Sequence, residues 1–394
     1  MEREENCKVE NILKPLELTD DDYRKVVDLM QEKMEEGLAR STNDKATIKM
    51  FPTYVRAVPN GTESGEFLAL DLGGTNFRVL LVSLQGQEVK MESKIFLIPQ
   101  HIMLGTGVQD LDVKCLAVIN DTVGALMSCA HSDRQCAIGL ILGTGSNACY
   151  IEKLERVEMA EGNEPGPPEM LINTEWGAFG DDGCLDFITT DFDRQVDKHS
   201  INAGKQRYEK FVSGMYMGEI ARLALEKLRK SGLLFGGEGS YHMATRGRFY
   251  TKYVSEIEGD DIDSFKTTKQ IFQELEIEKV TEQDCRLVRH TCSLVSRRAA
   301  FLASAGLACL LRMMGRPEVT IGVDGSLYRF HPFFHDLMME KIRTLAPGIR
   351  FKLMLSHDGS GKGAALVAAV ASRILKEKEE NSEKTRDHAK SNPH

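Results

Sequence analysis

Residues 66–84 read EFLALDLGGTNFRVLLVSL. Two apolar runs rich in Leu and Val flank a Gly-Gly turn, the pattern of a β-hairpin. A turn of this kind brings backbone N–H groups against phosphate oxygens, with Thr75 and Asn76 as further donors and Arg78 as a positive charge. Asp71 stands where a carboxylate can face a magnesium ion through water. A plain hairpin turn gives the same string, so the stretch alone leaves both readings open.

A related strand, turn and strand recurs at residues 138–152, IGLILGTGSNACYIE, and a third glycine turn lies in VTIGVDGSLYRF, residues 319–330. Two hairpins of this type far apart suggest two similar halves closing on a nucleotide. Between them, DVKCLAVIN (112–120) reads as a buried strand that delivers Asn120 and Asp121 at its C-terminal end, where TVGALMSCA (122–130) starts a helix. Open α/β sheets bind ligands at that edge. Asp121 is the candidate general base, because a carboxylate held there can accept the proton of a hydroxyl that attacks phosphorus. The bland alternative is that Asn120-Asp121 caps the following helix, and local sequence favours it. Glu175, beside the single tryptophan, and Glu209 are candidates to accept hydrogen bonds from sugar hydroxyls, against the alternative that each is a solvated charge.

Residues 19–38 carry apolar residues at helical spacing, with Thr19 as N-cap and acidic residues in the first turn. Residues 209–230 read as one amphipathic helix and 288–314 as a buried apolar helix. The Pro- and Gly-rich stretch 161–170 reads as a loop, and the polar tail from about Lys376 to His394 as frayed or disordered.

The chain has 394 residues, 42% of them hydrophobic, enough for sizeable cores. With 50 Lys and Arg against 59 Asp and Glu the net charge is −9, which disfavours nucleic acid as a partner. Nine cysteines without C-x-x-C spacing read as reduced, mostly structural thiols. The N-terminus, MEREENCKVENILK, has no apolar core of a signal peptide, and no segment reads as a membrane span. Cytosolic residence is the expectation. No H-E-x-x-H or G-x-S-x-G string occurs, so metallohydrolase and serine-hydrolase readings fall away.

Taken together, LALDLGGTNFRVLLV, INDTVGALMSC, GTGSNACYIE, NTEWGAFGDDG, GKQRYEKFVSGMYMGE, IGVDGSLYR and GSGKGAALVAAVA resemble the hexokinase and glucokinase family, in the family's order, from about Thr19 to Ile374. The resemblance implies an α/β, actin-like ATPase (ribonuclease H-like) fold, in which two domains close over a cleft. Residues 1–63 and 121–357 would form the large domain, 64–120 and 358–376 an incomplete small domain, and 377–394 a polar tail. It implies ATP with Mg as cofactors, a glucose-type hexose as partner, and phosphorylation at the sugar's primary hydroxyl, the first step of glycolysis, by a monomer or weak oligomer.

Carried over by motif, the sugar ligands would be Asn120, Asp121, Asn147, Glu175, Gln206 and Glu209, with Asp121 as catalytic base. The nucleotide side would use Asp71, Leu72, Gly73, Gly74, Thr75, Asn76 and Arg78, then Thr144, Gly214, Met215, Thr251 and Ser255, and the turn of Ser326, Leu327, Tyr328, Arg329 and Phe330. The departure lies between IPQHIMLGTGVQ (98–109) and DLDVKCLAVIND (110–121). The family places several dozen small-domain residues there, including a strand with a sugar-contacting Ser and a Thr-Lys pair whose Lys faces the phosphoryl group in flight. Removing such a strand leaves sheet edges unpaired and core faces uncovered. A second, smaller departure is Ala203, where the family usually has Pro. Two rival readings remain: a non-catalytic hexokinase-like sugar or nucleotide binder, and a chaperone-type ATPase with the same phosphate hairpins but no sugar site.

Overall fold

The structure, a computed structural model, describes residues 2–72, 76–97, 116–161 and 166–391. Two sheets organise it. The larger has six strands in the order β1 (Phe51–Pro52), β7 (Glu169–Asn173), β6 (Ser146–Lys153), β5 (Cys136–Leu142), β8 (Glu318–Asp324), β9 (Arg350–Leu355). The smaller is an antiparallel meander of β2 (Ser64–Leu72), β3 (Asn76–Gln85) and β4 (Glu88–Leu97).

In the larger sheet β5, β8 and β9 run parallel, whereas β6 and β7 run antiparallel to their neighbours. Of the parallel strands, β5 and β8 contain AIGLIL and VTIGV, near-continuous apolar runs buried on both faces, as a strand between helical layers must be, whereas β9, at the sheet edge, is only partly buried. Their C-terminal ends, at Leu142, Asp324 and Leu355, share one edge, and each is followed there by a tight turn.

One layer over this sheet is the helix Glu282–Met314, capped by a Thr19-type box in which Thr281 and Asp284 satisfy each other's backbone groups. By length and composition it would cross a membrane, contrary to the expectation that no segment would, but 89% of its most apolar window is buried inside the protein. Core packing therefore explains its apolarity. Gly306 on this helix lets the Trp176 ring approach, since a Cβ there would lie 2.7 Å from the ring. Arg298 on the same helix is 3% exposed and forks onto Asp193 at 2.7 and 2.9 Å, an ion pair with both members buried.

Several sequence expectations change. Residues 209–230 form two helices, Arg207–Val212 and Gly214–Lys230, broken at the extended Ser213. The break arises because the Gly214 amide leaves the helical ladder for the Gly143 carbonyl, 2.8 Å away. The tail expected to fray continues the helix Gly359–Ser391. Its Glu/Lys-rich sequence contains no Gly or Pro to stop a helix until Pro393. Of the strand expected at 112–120, residues 112–115 lie outside the described region, and 116–120 are not a strand; Val118 is 92% exposed. Leu116 and Val118 are exposed, whereas Ile119 is half-buried against the core.

The same lack of cover shows on the small sheet. One face packs Ala69, Leu80, Val82 and Leu84 towards the C-terminal helix, and these are buried. The opposite face presents Leu68, Leu70 and Leu81 at 48, 49 and 39% exposure, cross-strand neighbours through the Leu68–Leu81 pair. The alternation that should separate wet from dry faces here places Leu on both. Replacing Leu68 and Leu81 together with Ser is expected to cut binding of an apolar fluorescent dye severalfold. Stability should change by less than about 1 kcal/mol in chemical denaturation, because neither side chain is buried.

Candidate functional site

Asp121 opens the helix Asp121–Ala130, whose N-cap Asn120 accepts the Thr122 amide at 3.0 Å. The capping alternative is thus realised by Asn120, and Asp121 is left at the first helical position with its side chain reaching the cleft surface. Its Oδ1 accepts the Thr122 amide at 2.9 Å. Surrounding protein dehydrates the carboxyl and raises its pKa; the Thr122 hydrogen bond opposes this, and the negative charges of Glu175 and Asp324 push it further up. Those charge contributions place Asp121, Glu175 and Asp324 around one space.

Glu175 and Gln206 both adopt left-handed backbone, with φ of 53° and 55°. Bulky non-glycine residues hold such a conformation only where the surroundings impose it. For Glu175 the constraint is its neighbour Trp176, fully buried, edge-on to Tyr208 at 5.8 Å and donating Nε1–H to Ser146 at 3.2 Å. For Gln206 it is Asp181, whose two carboxylate oxygens accept the amides of Gln206 and Arg207 at 3.1 and 3.0 Å. Strain is thereby stored where two acceptor side chains are aimed.

Asn147 lies on β6 just after the 143–145 turn and donates to Glu175 at 3.0 Å and to Asn173 at 2.8 Å. Asn173 donates to the same Glu175 oxygen at 2.8 Å, which leaves Glu175 with one oxygen uncommitted within this network. Glu209 accepts the Ser146 amide at 2.9 Å. Burial raises its pKa, the Ser146 amide lowers it, and the charge of Glu175 raises it again. Two glycines permit the cluster: a Cβ on Gly145 would lie 2.5 Å from Glu209 Oε2, and one on Gly177 would lie 2.1 Å from Gln206 Oε1. Asn147, Glu175, Gln206 and Glu209 are thus brought together, with Asp121 near enough for the charge of Glu175 to act on it.

On the nucleotide side, Thr144, Gly214, Met215, Thr251, Ser255, Ser326, Leu327 and Phe330 line one cavity of 570 Å³. Backbone bonds Gly214 N to Gly143 O (2.8 Å) and Met215 N to Thr144 O (3.1 Å) stitch its two sides, and the Thr251 hydroxyl donates to the Gly214 carbonyl at 2.5 Å. Tyr328 and Arg329 do not line it. Tyr328 is buried against His335 at 2.5 Å, and Arg329 donates to the Ser356 carbonyl at 3.2 Å, so both brace the turn from behind.

Asp71 accepts Arg78 at 3.1 Å and Ser360 at 2.8 Å, and Arg78 also pairs with Asp358. These contacts tie the hairpin to the start of the C-terminal helix. Leu72 ends β2 and Asn76 begins β3; Gly73, Gly74 and Thr75 lie outside the described residues. Sequence reading missed Asn173, Asp181, Asp324 and Ser360. Asp324 had a signal, since VDGS repeats the strand–Asp–Gly pattern of LDLGG; the others carried none, because their roles arise from residues distant in sequence.

Helix Asp121–Ala130 and helix Gly359–Ser391 meet through glycines. A Cβ on Gly124 would lie 2.5 Å from the Gly359 carbonyl, and one on Gly363 would lie 2.2 Å from the Gly124 carbonyl. Two helix starts thus sit side by side at the same edge as the turns after β5 and β8.

Paired sheets, parallel strands ending at glycine turns and a carboxylate at a helix start between them define the class as the actin-like ATPase fold. Within that class the chain belongs to the hexokinase family, whose family models match residues 137–370 and 8–110. The hexokinase of Schistosoma mansoni is 41% identical over 93% of this chain and 97% of its own length. Hexokinase-1 of Homo sapiens is 40% identical over 95% of this chain but 49% of its own length. The chain spans about half the length of several mammalian relatives it matches, 48% for one of Mus musculus. The solved hexokinase of Schistosoma mansoni complexed with glucose superposes with a TM-score of 0.86 at 40% identity, covering 94% of this chain and all of that one. A second hexokinase structure, 22% identical, shares the fold at a TM-score of 0.80.

Gly363→Ala should force the two helices apart. A loss of about 1–3 kcal/mol in chemical denaturation is expected, as for other overpacked contacts.

Proposed function

We propose that the chain transfers the terminal phosphoryl group of ATP to the primary hydroxyl of a glucose-type hexose, giving the hexose 6-phosphate. The observation that carries this is the meeting of Asp121 with Asn147, Glu175 and Glu209 on one cleft floor, beside a cavity lined by Thr144, Thr251 and Phe330. The glucose held by the Schistosoma mansoni enzyme supports the choice of sugar.

In this reading Asn120, Asn147, Glu175, Gln206 and Glu209 hold the sugar hydroxyls and orient the primary one towards Asp121. Asp121 takes the proton as the hydroxyl oxygen bonds to the terminal phosphorus, and the bond from that phosphorus to the ADP oxygen breaks. The 143–145 and 325–326 turns approach the phosphates, while Met215, Leu327 and Phe330 provide apolar surface for the base. Among the described residues no group of three His, Cys, Asp or Glu forms a metal site. Magnesium fits as part of the nucleotide substrate, held chiefly by phosphate oxygens with Asp71 or Asp324 in reach through water. Cytosolic residence belongs to the same proposal, supported by eight described cysteines that are all unpaired.

A coupled assay of glucose-dependent ADP formation tests the function. Asp121→Ala is expected to lose about 10²–10⁴-fold in kcat with the fold retained, the usual worth of a positioned general base. Turnover of the unaltered chain equal to that of Asp121→Ala would remove the enzyme reading. Gly145→Ala should displace Glu209 and weaken glucose binding by about tenfold or more, measured by titration calorimetry.

The raised pKa of Asp121 fixes the direction of a pH effect. A base works only when deprotonated, so kcat/KM should fall as pH drops through a value above the ordinary aspartate range. A profile flat down to that ordinary range would count against Asp121 as the base.

A second reading is a hexokinase-like protein that binds sugar or nucleotide without turnover. The exposed Leu68–Leu81 face favours it, since it lies on the sheet of the half in which the family keeps its Ser and Thr-Lys contacts. Quenching of Trp176 fluorescence by glucose in the absence of turnover would select this reading.

A further inference from the structure

On the far side of the helix Thr251–Glu258 from the nucleotide cavity lies a groove of 430 Å³. One wall is the helix Glu282–Met314, which presents Arg286, Arg289 and Arg297 along a single face at helical spacing. The floor and opposite wall are apolar, made by Ile262, Phe265, Phe333 and Leu337.

Guanidinium groups elsewhere in the chain mostly meet carboxylates, as Arg298 meets Asp193, Arg222 meets Glu219 and Arg373 meets Glu63. These three do not: among the described residues none has a carboxylate within ion-pair distance. Arg286 lies over the Phe265 ring at 5.2 Å, and Arg289 donates to the Asp260 carbonyl at 2.5 Å. Both are thereby oriented without being neutralised.

The nearby acids are otherwise engaged. Glu258, on the inner wall, is 3% exposed and receives His331 Nε2 at 3.2 Å, while Asp260 accepts the Thr268 amide and hydroxyl at 2.6 and 2.8 Å. Asp261 and Asp263 are exposed on the adjoining loop, where water screens them. Like charges three apart on a helix repel, so Arg286 and Arg289 carry a cost that a bound anion would remove. In a chain of net charge −9, convergent unpaired arginines over an aromatic floor are a specific feature.

We propose that this groove is a binding site for a small organic phosphate with an apolar or aromatic body, the phosphate held by the Arg286 and Arg289 forks, one turn apart, and the body against Phe265 and Phe333. Arginine matches phosphate oxygens bidentately, and a groove of this size accommodates a single-ring or fused-ring ligand. The site is separate from the cleft and does not depend on the proposed catalytic activity.

Titration calorimetry of the full chain with 1-naphthyl phosphate tests this, with 1-naphthol and inorganic phosphate as the body alone and the charge alone. Saturable binding is expected, at least tenfold tighter than either control and retained at saturating ATP. Arg286→Gln combined with Arg289→Gln should raise Kd at least tenfold with the fold retained. If the double variant does not fold, Arg286→Gln alone, at an exposed position, should weaken binding at least threefold. Displacement of the probe by ATP, equal affinity for 1-naphthol, or an unchanged Kd in the folded variants would overturn the proposal.

Discussion

The close approach of two helix backbones at Gly124, Gly359 and Gly363 is the constraint on which the site depends. Any side chain at Gly363 would meet the Gly124 carbonyl, so the helices touch main chain to main chain. That contact fixes the start of helix Asp121–Ala130, and with it Asp121, against the start of the C-terminal helix. Gly359 in turn donates to Asp324 at 3.0 Å, and Ser360 donates to Asp71 at 2.8 Å. Three carboxylates from three distant parts of the chain are therefore located by one helix crossing.

Around this fixed point the protein accepts unfavourable local states. Glu175 and Gln206 occupy left-handed backbone, and Asp121 and Glu209 are dehydrated acids whose pKa values rise. Each would relax in an isolated peptide. They persist because Trp176, Tyr208 and the helix Glu282–Met314 form a rigid base beneath them. Rigidity below and strain above is the arrangement expected of a preorganised polar site.

The small sheet carries the opposite condition. Its inner face is well buried on the C-terminal helix, yet its outer face exposes Leu68, Leu70 and Leu81, and Leu116 and Val118 before Asn120 are exposed as well. An apolar sequence pattern specifies a strand only if a partner strand is present to satisfy its backbone and cover its side chains. At 116–120 an apolar string is not a strand.

The sequence by itself determined the hairpins, because each has an apolar run, a glycine turn and a second apolar run within its own few residues. It determined the Thr19 helix start and the family order of motifs for the same local reason, whereas the helix read as 288–314 starts six residues earlier, capped by Thr281. What only the tertiary structure decided is everything that needs two distant segments. Ser213 breaks a helix because Gly143 captures the next amide; Tyr328 and Arg329 turn away from the cavity because His335 and Ser356 hold them; Glu175 is aimed by a buried Trp176. Local pattern encodes backbone preference, whereas the direction and charge state of a side chain depend on which remote atoms exclude water from it.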